Sequence, residues 1–494
     1  MNTILNNNQT ALNFVEVKEI GRVKDVKKGI VRIHGLPGCI YGQLIRFSAG
    51  AKGLVIGFDE EEVMVLVLGD ETTVNSGEEV VSQIEPLRIP VGYGFIGRVV
   101  NALAEPLDNR GYIKADDYYP VFREAMGVIE RIPVDEPLET GVKIIDAVIP
   151  IGRGQRELII GDRMTGKTTL AIDTILNQKG KDVICIYCCI GRSQASLIKL
   201  IQLLHEREVM NYTFVVAATG LASPNEQYLV PYTACALGEF FMFNGKHVLI
   251  VFDDLTRHAW AYRQISLLLE RAPGREAYPG DIFYIHSQLL ERAAKLRQEL
   301  GGGSMTFLPI VETLQGDFTG YIQTNLVSIT DGQIYLNTAL FYEGFKPAID
   351  LGLSISRIGS KAQTPAMREL SRMLRLEYVQ YRELLKMSRL RTRRSPEIEA
   401  KLKRGKVLTA LFTQDKHSPV SLAEEIVLFY SFKLHIMELL PIEQVYEFKS
   451  EIFSFIRGNY PELIKKIETK KELTTEITEI LDKCFTEFLK SKKK

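Results

Sequence analysis

One segment of eight residues, 161–168, constrains this chain more than any other part of its sequence. It reads Gly-Asp-Arg-Met-Thr-Gly-Lys-Thr, which fits the pattern GxxxxGK followed by Ser or Thr. A strand-like apolar run at 156–160 precedes the segment, and a helix-like stretch at 169–178 follows it. In that order, the glycines let backbone N–H groups surround a phosphate at the N-terminus of the helix. The segment therefore predicts a loop that binds a nucleoside triphosphate, because a chance turn would lack both flanking elements.

The loop also predicts which groups contact the nucleotide and its metal ion. Lys167 would reach the β- and γ-phosphates, and Thr168 would bind Mg²⁺. A second metal contact requires a carboxylate at the end of a neighbouring strand, and the apolar run 247–252 leads into Asp253 and Asp254. We favour Asp253 for the metal, directly or through water, and Asp254 as a supporting or helix-capping residue. Nucleotide contacts are expected from Gly161, Asp162, Arg163, Met164, Thr165, Gly166, Lys167, Thr168 and Thr169.

The chain divides into three regions of different periodicity. Residues 1–86 contain short β-type segments between glycine-bearing turns, which favours a small barrel or sandwich. Residues 87–370 alternate strand-like and helical patterns, as a mostly parallel sheet covered by helices requires. Residues 371–494 are helical in pattern, with an apolar stripe over 442–457 that we expect Gly458 to end. The predicted fold class is a multidomain α/β protein.

Charge and cysteine content exclude several other classes of protein. Lys plus Arg and Asp plus Glu number 61 each, so no net field attracts nucleic acid. Cys185 and Cys188 have CxxC spacing but lie in an apolar run, which favours a buried strand over a metal site. The polar start at 1–13 resembles no export signal. No apolar stretch approaches the roughly 20 residues that cross a bilayer, so membrane association would come only through partners.

Several further segments carry a family resemblance. They include PIGRGQR at 150–156, REAYPGD at 275–281, residues 326–333, and PAIDLGLSISR at 347–357. With the loop, these segments closely resemble the F-type ATP synthase alpha family. The segment ending at Arg357 resembles a signature shared by rotary ATPase alpha and beta subunits, and REAYPGD favours alpha.

This resemblance implies an architecture and a set of partners. The expected domains are an N-terminal β-barrel, a central RecA-like nucleotide-binding domain and a C-terminal helical domain. The subunit would bind ATP or ADP with Mg²⁺, with Gln414 near the adenine. It would alternate with beta subunits in an alpha3beta3 ring around the gamma shaft. A delta/b stator contact is expected at the N-terminus, where the short start at 1–13 leaves little chain for it. Membrane contact would come only through the Fo sector, and no nucleic acid is expected.

Two arginines define the expected role of such a subunit. The resemblance implies that Arg357 is an arginine finger that reaches the neighbouring beta site, where a guanidinium stabilises charge on the transferring phosphoryl. In beta subunits a Glu follows the strand after the loop helix, but here that position is Arg192, which cannot act as a base. Alpha subunits usually carry Gln there, and Gln also where Met164 stands. The chain is therefore expected to bind nucleotide without turning it over, at the cytoplasmic face of a bacterial plasma membrane or, for an organelle-encoded chain, at a thylakoid or mitochondrial inner membrane.

Two other functions compete with this interpretation. A self-sufficient homohexameric RecA-type ATPase of the flagellar or secretion class would carry a water-activating Glu in place of Arg192. An RNA-translocating hexamer would use the barrel or the basic cluster at 389–394, but aromatic residues do not interleave with that cluster. We therefore favour the non-catalytic subunit.

Overall fold

The computed structural model describes residues 19–48, 50–388 and 395–492. The chain forms two compact units, Met1–Arg88 and Ile89–Lys494. The polar start at 1–13 and the basic cluster at 389–394 lie outside the described residues. The exact domain boundaries predicted from the sequence, after residues 86 and 370, stay predictions.

A closed antiparallel barrel of six strands makes up the first unit. Of the two folds that the sequence allowed for this region, a barrel or a sandwich, the chain forms the barrel. The strands are β1 (Ile20–Lys27), β2 (Ile30–His34), β3 (Gln43–Phe47), β4 (Lys52–Phe58), β5 (Glu62–Leu68) and β6 (Glu79–Pro86). Their order around the barrel is β1-β2-β5-β4-β3-β6. Apolar side chains such as Val31, Ile33 and Val65 fill its interior. Closure leaves no strand edge unpaired.

The second unit is built on a large, mostly parallel sheet. Its strands are β7 (Arg88–Val91), β8 (Val99–Val100), β9 (Asp117–Pro120), β10 (Leu158–Gly161), β11 (Val183–Ile190), β12 (Thr213–Ala218), β13 (His247–Asp253), β14 (Ala294–Lys295), β15 (Ser304–Glu312), β16 (Gly332–Leu336) and β17 (Ile355–Ser356). The sheet order is β17-β16-β10-β15-β13-β11-β12-β8, with β14 beside β15, while β7 and β9 pair separately. Only β14 and β17 run antiparallel to their neighbours in the described sheet.

Helices cover this sheet and then form the C-terminal part of the unit. They are α1 (Lys143–Val148), α2 (Lys167–Leu176), α3 (Gln194–Glu206), α4 (Pro224–Phe243), α5 (Leu255–Leu268), α6 (Ile282–Leu290), α7 (Tyr321–Ile329), α8 (Thr338–Tyr342), α9 (Pro365–Ser371), α10 (Leu374–Ser388), α11 (Pro396–Phe412), α12 (Leu422–Lys433), α13 (Ile442–Asn459), α14 (Pro461–Lys470) and α15 (Thr475–Lys492). Among the described residues, no helix is long and apolar enough to cross a membrane.

The central strand β11 accounts for the CxxC spacing. All eight of its residues are buried, which a strand flanked by parallel neighbours and covered on both faces requires. Cys185 and Cys188 are free thiols in this strand, and burial raises the pKa of the Cys188 thiol well above its usual value. The interpretation of this run as a buried strand is confirmed.

One helix end differs from the expectation. Helix α13 passes through Gly458 and ends at Asn459, and Pro461 then opens α14 at its first turn. Gly458 has no atom within 4 Å of a built Cβ, and its φ is not in the left-handed region that a glycine cap uses. The helix therefore ends because Pro461 has no N–H with which to continue it.

Candidate functional site

The sheet register gathers the sequence-predicted residues at one edge. Gly161, the last residue of β10, pairs with Glu312, the last residue of β15. Cys189, near the end of β11, pairs with Asp253, which ends β13. Because these strands are parallel, the loop after β10, Asp253 and the residues after β11 all lie at the carboxyl edge. In open α/β sheets, this is the edge at which ligands bind.

The predicted phosphate loop connects β10 to α2. Gly166 adopts a left-handed φ of 104° just before the helix, a conformation that favours glycine. The Lys167 ammonium lies inside the loop and donates to the carbonyls of Gly161 at 2.8 Å and Asp162 at 2.6 Å. Burial is the largest influence on its pKa and lowers it, while the nearby carboxylate of Glu312 opposes that shift. The loop thus holds a buried ammonium where phosphate oxygens would supply its counter-charge.

The side chains of the loop residues have different surroundings. Asp162 accepts hydrogen bonds from the Thr313 and Thr338 hydroxyls at 2.6 and 2.7 Å, so it fastens the loop to the segments that follow β15 and β16. Arg163 faces Glu312 at 3.4 Å. Met164 has a left-handed φ of 63° and is 91% exposed. Because the Asp162 carboxylate is engaged by these hydroxyls, Asp162 can contact a phosphate only through its backbone.

The two side chains expected to bind metal contact each other. The Thr168 hydroxyl donates to Asp253 Oδ2 at 2.8 Å, and the Tyr187 hydroxyl donates to the same oxygen at 2.5 Å. A hydroxyl and a carboxylate are oxygen ligands of the kind that Mg²⁺ prefers. Within 19–48, 50–388 and 395–492, no group of three or more His, Cys, Asp or Glu side chains could hold a metal ion. The magnesium role of Thr168 and Asp253 stays a prediction.

Arg192 is bonded to both of those side chains. Its guanidinium donates from Nε to Asp253 Oδ1 at 2.9 Å, from Nη2 to the same oxygen, and from Nη2 to the Thr168 hydroxyl at 2.7 Å. Asp253 is fully buried, so the pair lies in a medium of low dielectric, where attraction between opposite charges is strong. The guanidinium therefore bonds to both expected metal ligands, which also contact each other directly.

Asp254 has the capping role that the sequence suggested. Its carboxylate accepts from the Arg257 backbone N–H at 2.9 Å at the start of α5. Burial, followed by the charge of Asp253, raises the pKa of Asp254 to about 7. The Arg257 guanidinium donates to the Gly191 carbonyl at 2.7 Å, which fixes the turn just before Arg192.

A cavity next to the loop has the size and lining of a nucleobase site. Its volume is about 450 Å³. Residues of the loop, of α8 and its following turn, and of the turn after α11 line it, among them Thr165, Thr169, Phe341, Pro347 and Gln414. An aromatic ring and a proline beside polar groups are suited to a flat heterocycle. The Gln414 amide donates to the carbonyls of Gly141 at 2.7 Å and Ser418 at 2.9 Å, so this side chain also holds the cavity wall in place.

Arg357 lies at the opposite edge of the sheet. It follows β17, whose Ser356 pairs with Gly332 at the start of β16, whereas Leu336 at the end of β16 pairs with Gly161. Gly332 and Leu336 lie four residue steps apart along β16, so about 13 Å separates the level of Arg357 from the level of the loop. The Arg357 side chain is exposed. It lines neither the nucleobase-sized cavity nor a second, open cavity beside the loop, which Lys167, Thr168 and Arg192 help to line. The structure thus does not bring Arg357 together with the other predicted site residues.

Sequence reasoning missed three contributors to the site. Tyr187 lies inside the all-buried strand β11 and gave no polar signal. Glu312 had a usable signal, because it is a charged residue directly after the apolar run of β15. Phe341 resembled any core aromatic residue, and only the cavity identifies it.

A phosphate loop at the carboxyl edge of a parallel sheet, beside a nucleobase-sized cavity, defines a nucleotide-binding protein of the RecA-like P-loop class. Three domains of the ATP synthase alpha/beta family match the chain in order: the beta-barrel domain at 16–82, the nucleotide-binding domain at 141–356 and the C-terminal domain at 363–488. The chain therefore belongs to the ATP synthase alpha/beta family.

Two curated relatives show that, within this family, the chain is similar to the alpha subunits. The chain is 48% identical to ATP synthase subunit alpha of Clostridium acetobutylicum over 476 residues, which cover 96% of this chain and 94% of the relative. It is 46% identical to ATP synthase subunit alpha of Petrotoga mobilis over 478 residues, which cover 96% and 95%. The predicted family and the predicted order of barrel, nucleotide-binding domain and helical domain are confirmed.

Proposed function

We propose that this chain is the nucleotide-binding, non-catalytic alpha subunit of an F-type ATP synthase and that it supplies Arg357 to the catalytic site of an adjacent beta subunit. The loop at 161–168 binds the phosphates of ATP or ADP, and the cavity lined by Phe341 and Gln414 receives the base. Both features lie at the carboxyl edge of one sheet. The nucleotide then strengthens the interface around it without being consumed.

The observation that carries the non-catalytic assignment is the environment of Arg192. Hydrolysis needs a group that accepts a proton from water or orients it. At the end of β11 the chain places a guanidinium, which has donors only, and binds it to Asp253. Of the other nearby carboxylates, Glu312 faces Arg163, while Asp254 caps α5, is fully buried and lines neither cavity beside the loop.

The position of Arg357 supports its action on a neighbour. It is exposed, and its sheet edge is remote from the loop of its own chain. Its backbone N–H donates to the Asp331 carbonyl at 2.8 Å, which fixes the backbone, and its guanidinium makes only a long hydrogen bond of 3.4 Å to the Val327 carbonyl among the described contacts. A fixed guanidinium at a subunit surface can stabilise charge on a phosphoryl group bound by the next subunit.

Both relatives are named as subunit alpha of ATP synthase, and the sequence resemblance implies the other members of the assembly. We propose an alternating ring with beta subunits around a gamma shaft, with a delta/b stator and with membrane contact only through the Fo sector. The complex would lie peripherally on the cytoplasmic face of a bacterial plasma membrane, where a proton gradient drives it.

Nucleotide binding and phosphate release by the purified full chain test the non-catalytic role. We expect ATP to bind and phosphate release to stay at the level of buffer. The Lys167→Ala variant, which removes the buried ammonium, should lose binding. Turnover at the rate of an ordinary enzyme, about 1 s⁻¹ or faster, in wild type but not in Lys167→Ala would instead favour the self-sufficient homohexameric ATPase.

A further inference from the structure

The Asp253 carboxylate is saturated by donors from its own chain. Oδ1 accepts from two nitrogens of Arg192, and Oδ2 accepts from the hydroxyls of Thr168 and Tyr187. A carboxylate has about four lone-pair positions in total. The described contacts therefore fill every position through which Asp253 could bind a metal ion or a metal-bound water.

The Thr168 hydroxyl is engaged in the same way. It donates to Asp253 and accepts from Arg192 Nη2 at 2.7 Å. Mg²⁺ requires oxygen ligands at about 2.0–2.1 Å in a nearly octahedral arrangement. The guanidinium hydrogens point at those same oxygens, and a second cation so close to a fixed positive charge would be repelled. Arg192 and Mg²⁺ therefore exclude each other at this point.

The guanidinium also lies where a bound nucleotide could reach it. Arg192 lines the open cavity beside the loop together with Lys167, Thr168 and Arg257. Its planar array of N–H donors matches phosphate oxygens geometrically, and its charge persists at any physiological pH. Arg192 can thus neutralise phosphate charge while it remains attached to Asp253.

We propose that Arg192 is a built-in cation of the nucleotide site that takes the place of Mg²⁺ at Thr168 and Asp253, so that this chain binds ATP or ADP in metal-free form. The inference rests on the proposed binding of nucleotide at the loop and adds to it the ionic form of the ligand. Affinity for ATP is then set by the protein's own charges. Added Mg²⁺ does not strengthen binding, because the ion competes with the site by binding ATP in solution.

The test measures the dissociation constant of ATP for the full chain in excess Mg²⁺ and in EDTA. For wild type we expect the apparent dissociation constant in EDTA to be equal to or lower than that in excess Mg²⁺, because Mg²⁺ withdraws metal-free ATP from solution. For Arg192→Gln we expect binding in EDTA to be at least about tenfold weaker than in Mg²⁺, because the vacated oxygens then accept the ion. Arg297→Gln removes an exposed positive charge just after β14, outside both cavities beside the loop, and should behave as wild type.

A second readout uses Mn²⁺ in place of Mg²⁺. Electron paramagnetic resonance of a Mn²⁺ titration with ATP present, corrected by a matched titration without protein, should detect protein-bound Mn²⁺ at concentrations about tenfold lower for Arg192→Gln than for wild type. Wild-type binding that is about threefold or more weaker in EDTA than in Mg²⁺ overturns the inference and leaves the proposed function intact. Absence of ATP binding in both solutions overturns both. If Arg192→Gln does not fold, the wild-type ratio alone decides.

Discussion

The two edges of the central sheet each carry an arginine, and the chain treats the two arginines in opposite ways. At the carboxyl edge, Arg192 is bonded to the buried carboxylate of Asp253 and to Thr168. At the amino edge, Arg357 is exposed, and its guanidinium donates only a long hydrogen bond of 3.4 Å to the Val327 carbonyl among the described contacts. One charge is neutralised within the chain, and the other is presented outward.

Because one guanidinium is bonded within the chain and the other is exposed, replacing each arginine should affect different measurements. A charge bonded to a buried carboxylate is part of the folded structure, so its loss changes stability and the site around it. An exposed charge contributes little to folding, so the loss of Arg357 is visible only when another molecule uses that charge.

The largest expected effect is on turnover of the assembled complex. Replacing Arg357 by Ala should lower ATP hydrolysis about 10³-fold or more, the range over which arginine fingers act. Stabilisation of the charge that develops during phosphoryl transfer is lost, while the nucleotide site at the other edge is untouched. Steady-state hydrolysis by the reconstituted alpha–beta–gamma complex measures it.

A matched control separates this role from assembly. Arg357→Lys keeps the charge but not the fork of donors and should recover only part of the rate. Nucleotide bound to the alpha subunits should stay at the wild-type amount in both variants. If Arg357→Ala retains more than about a tenth of the rate, which a finger's loss does not permit, the amino edge has no catalytic partner.

The second effect is on the free energy of unfolding, which should depend on the Arg192–Asp253 pair at the carboxyl edge and not on Arg357 at the amino edge. Asp253→Ala should lower the free energy of unfolding by about 3 kcal/mol, because it leaves the Arg192 guanidinium without its buried carboxylate. Arg357→Gln should change it by less than about 0.5 kcal/mol, as exposed substitutions do. Denaturant titration of both variants gives the comparison. Equal losses would mean that Arg357 is as embedded in its own chain as Arg192.

The sequence predicted some features of these two edges and not others. The strand–loop–helix pattern at 161–168 predicted the element order, and parallel strands necessarily bring Asp253 to the same edge. What the sequence could not supply was the contact between Arg192 and Asp253, because residues 61 positions apart meet only through the register of β11 and β13. The separation of Arg357 from the loop likewise depends on β17 running antiparallel to β16.

The nucleobase cavity was predicted least well, for a physical reason. Its wall combines turns after α8 and α11 that are distant in sequence, so no local pattern marks it. Gln414 was expected there from the resemblance, whereas Phe341 was not. Local periodicity encodes strands and helices, but the packing of separate elements creates cavities.

The third effect is on the pH dependence of stability and involves Asp173, near the carboxyl edge. Asp173 lines the nucleobase cavity and accepts a hydrogen bond from the His417 backbone N–H at 2.9 Å. Burial raises the pKa of Asp173 to about 7. The folded chain therefore holds a proton there that the unfolded chain releases near pH 4, so this residue costs stability as pH rises. Between about pH 5 and pH 7 the loss should be about 2 kcal/mol, and Asp173→Asn should remove it.

Thermal unfolding at those two pH values measures the slope, and another carboxylate supplies a control of opposite sign. Hydrogen bonding to Arg98 lowers the pKa of Asp108 to about 2. Its stabilisation is present at pH 7 and is lost as pH falls from about 4 towards 2. Asp108→Asn should therefore destabilise at neutral pH without flattening the slope between pH 5 and 7. A slope unchanged in Asp173→Asn would contradict a protonated Asp173.

The smallest expected effect concerns Met164, which is exposed like Arg357 but lies at the carboxyl edge. Because it is 91% exposed, a new polar group there would exchange water for nucleotide with little gain. Met164→Gln should thus change the affinity of the isolated chain for ATP by less than about threefold, as equilibrium titration would measure. A tenfold gain would mean that bound nucleotide covers this side chain. In that case, exposure in the isolated chain would not distinguish the two edges, and only the partner that fills each edge would.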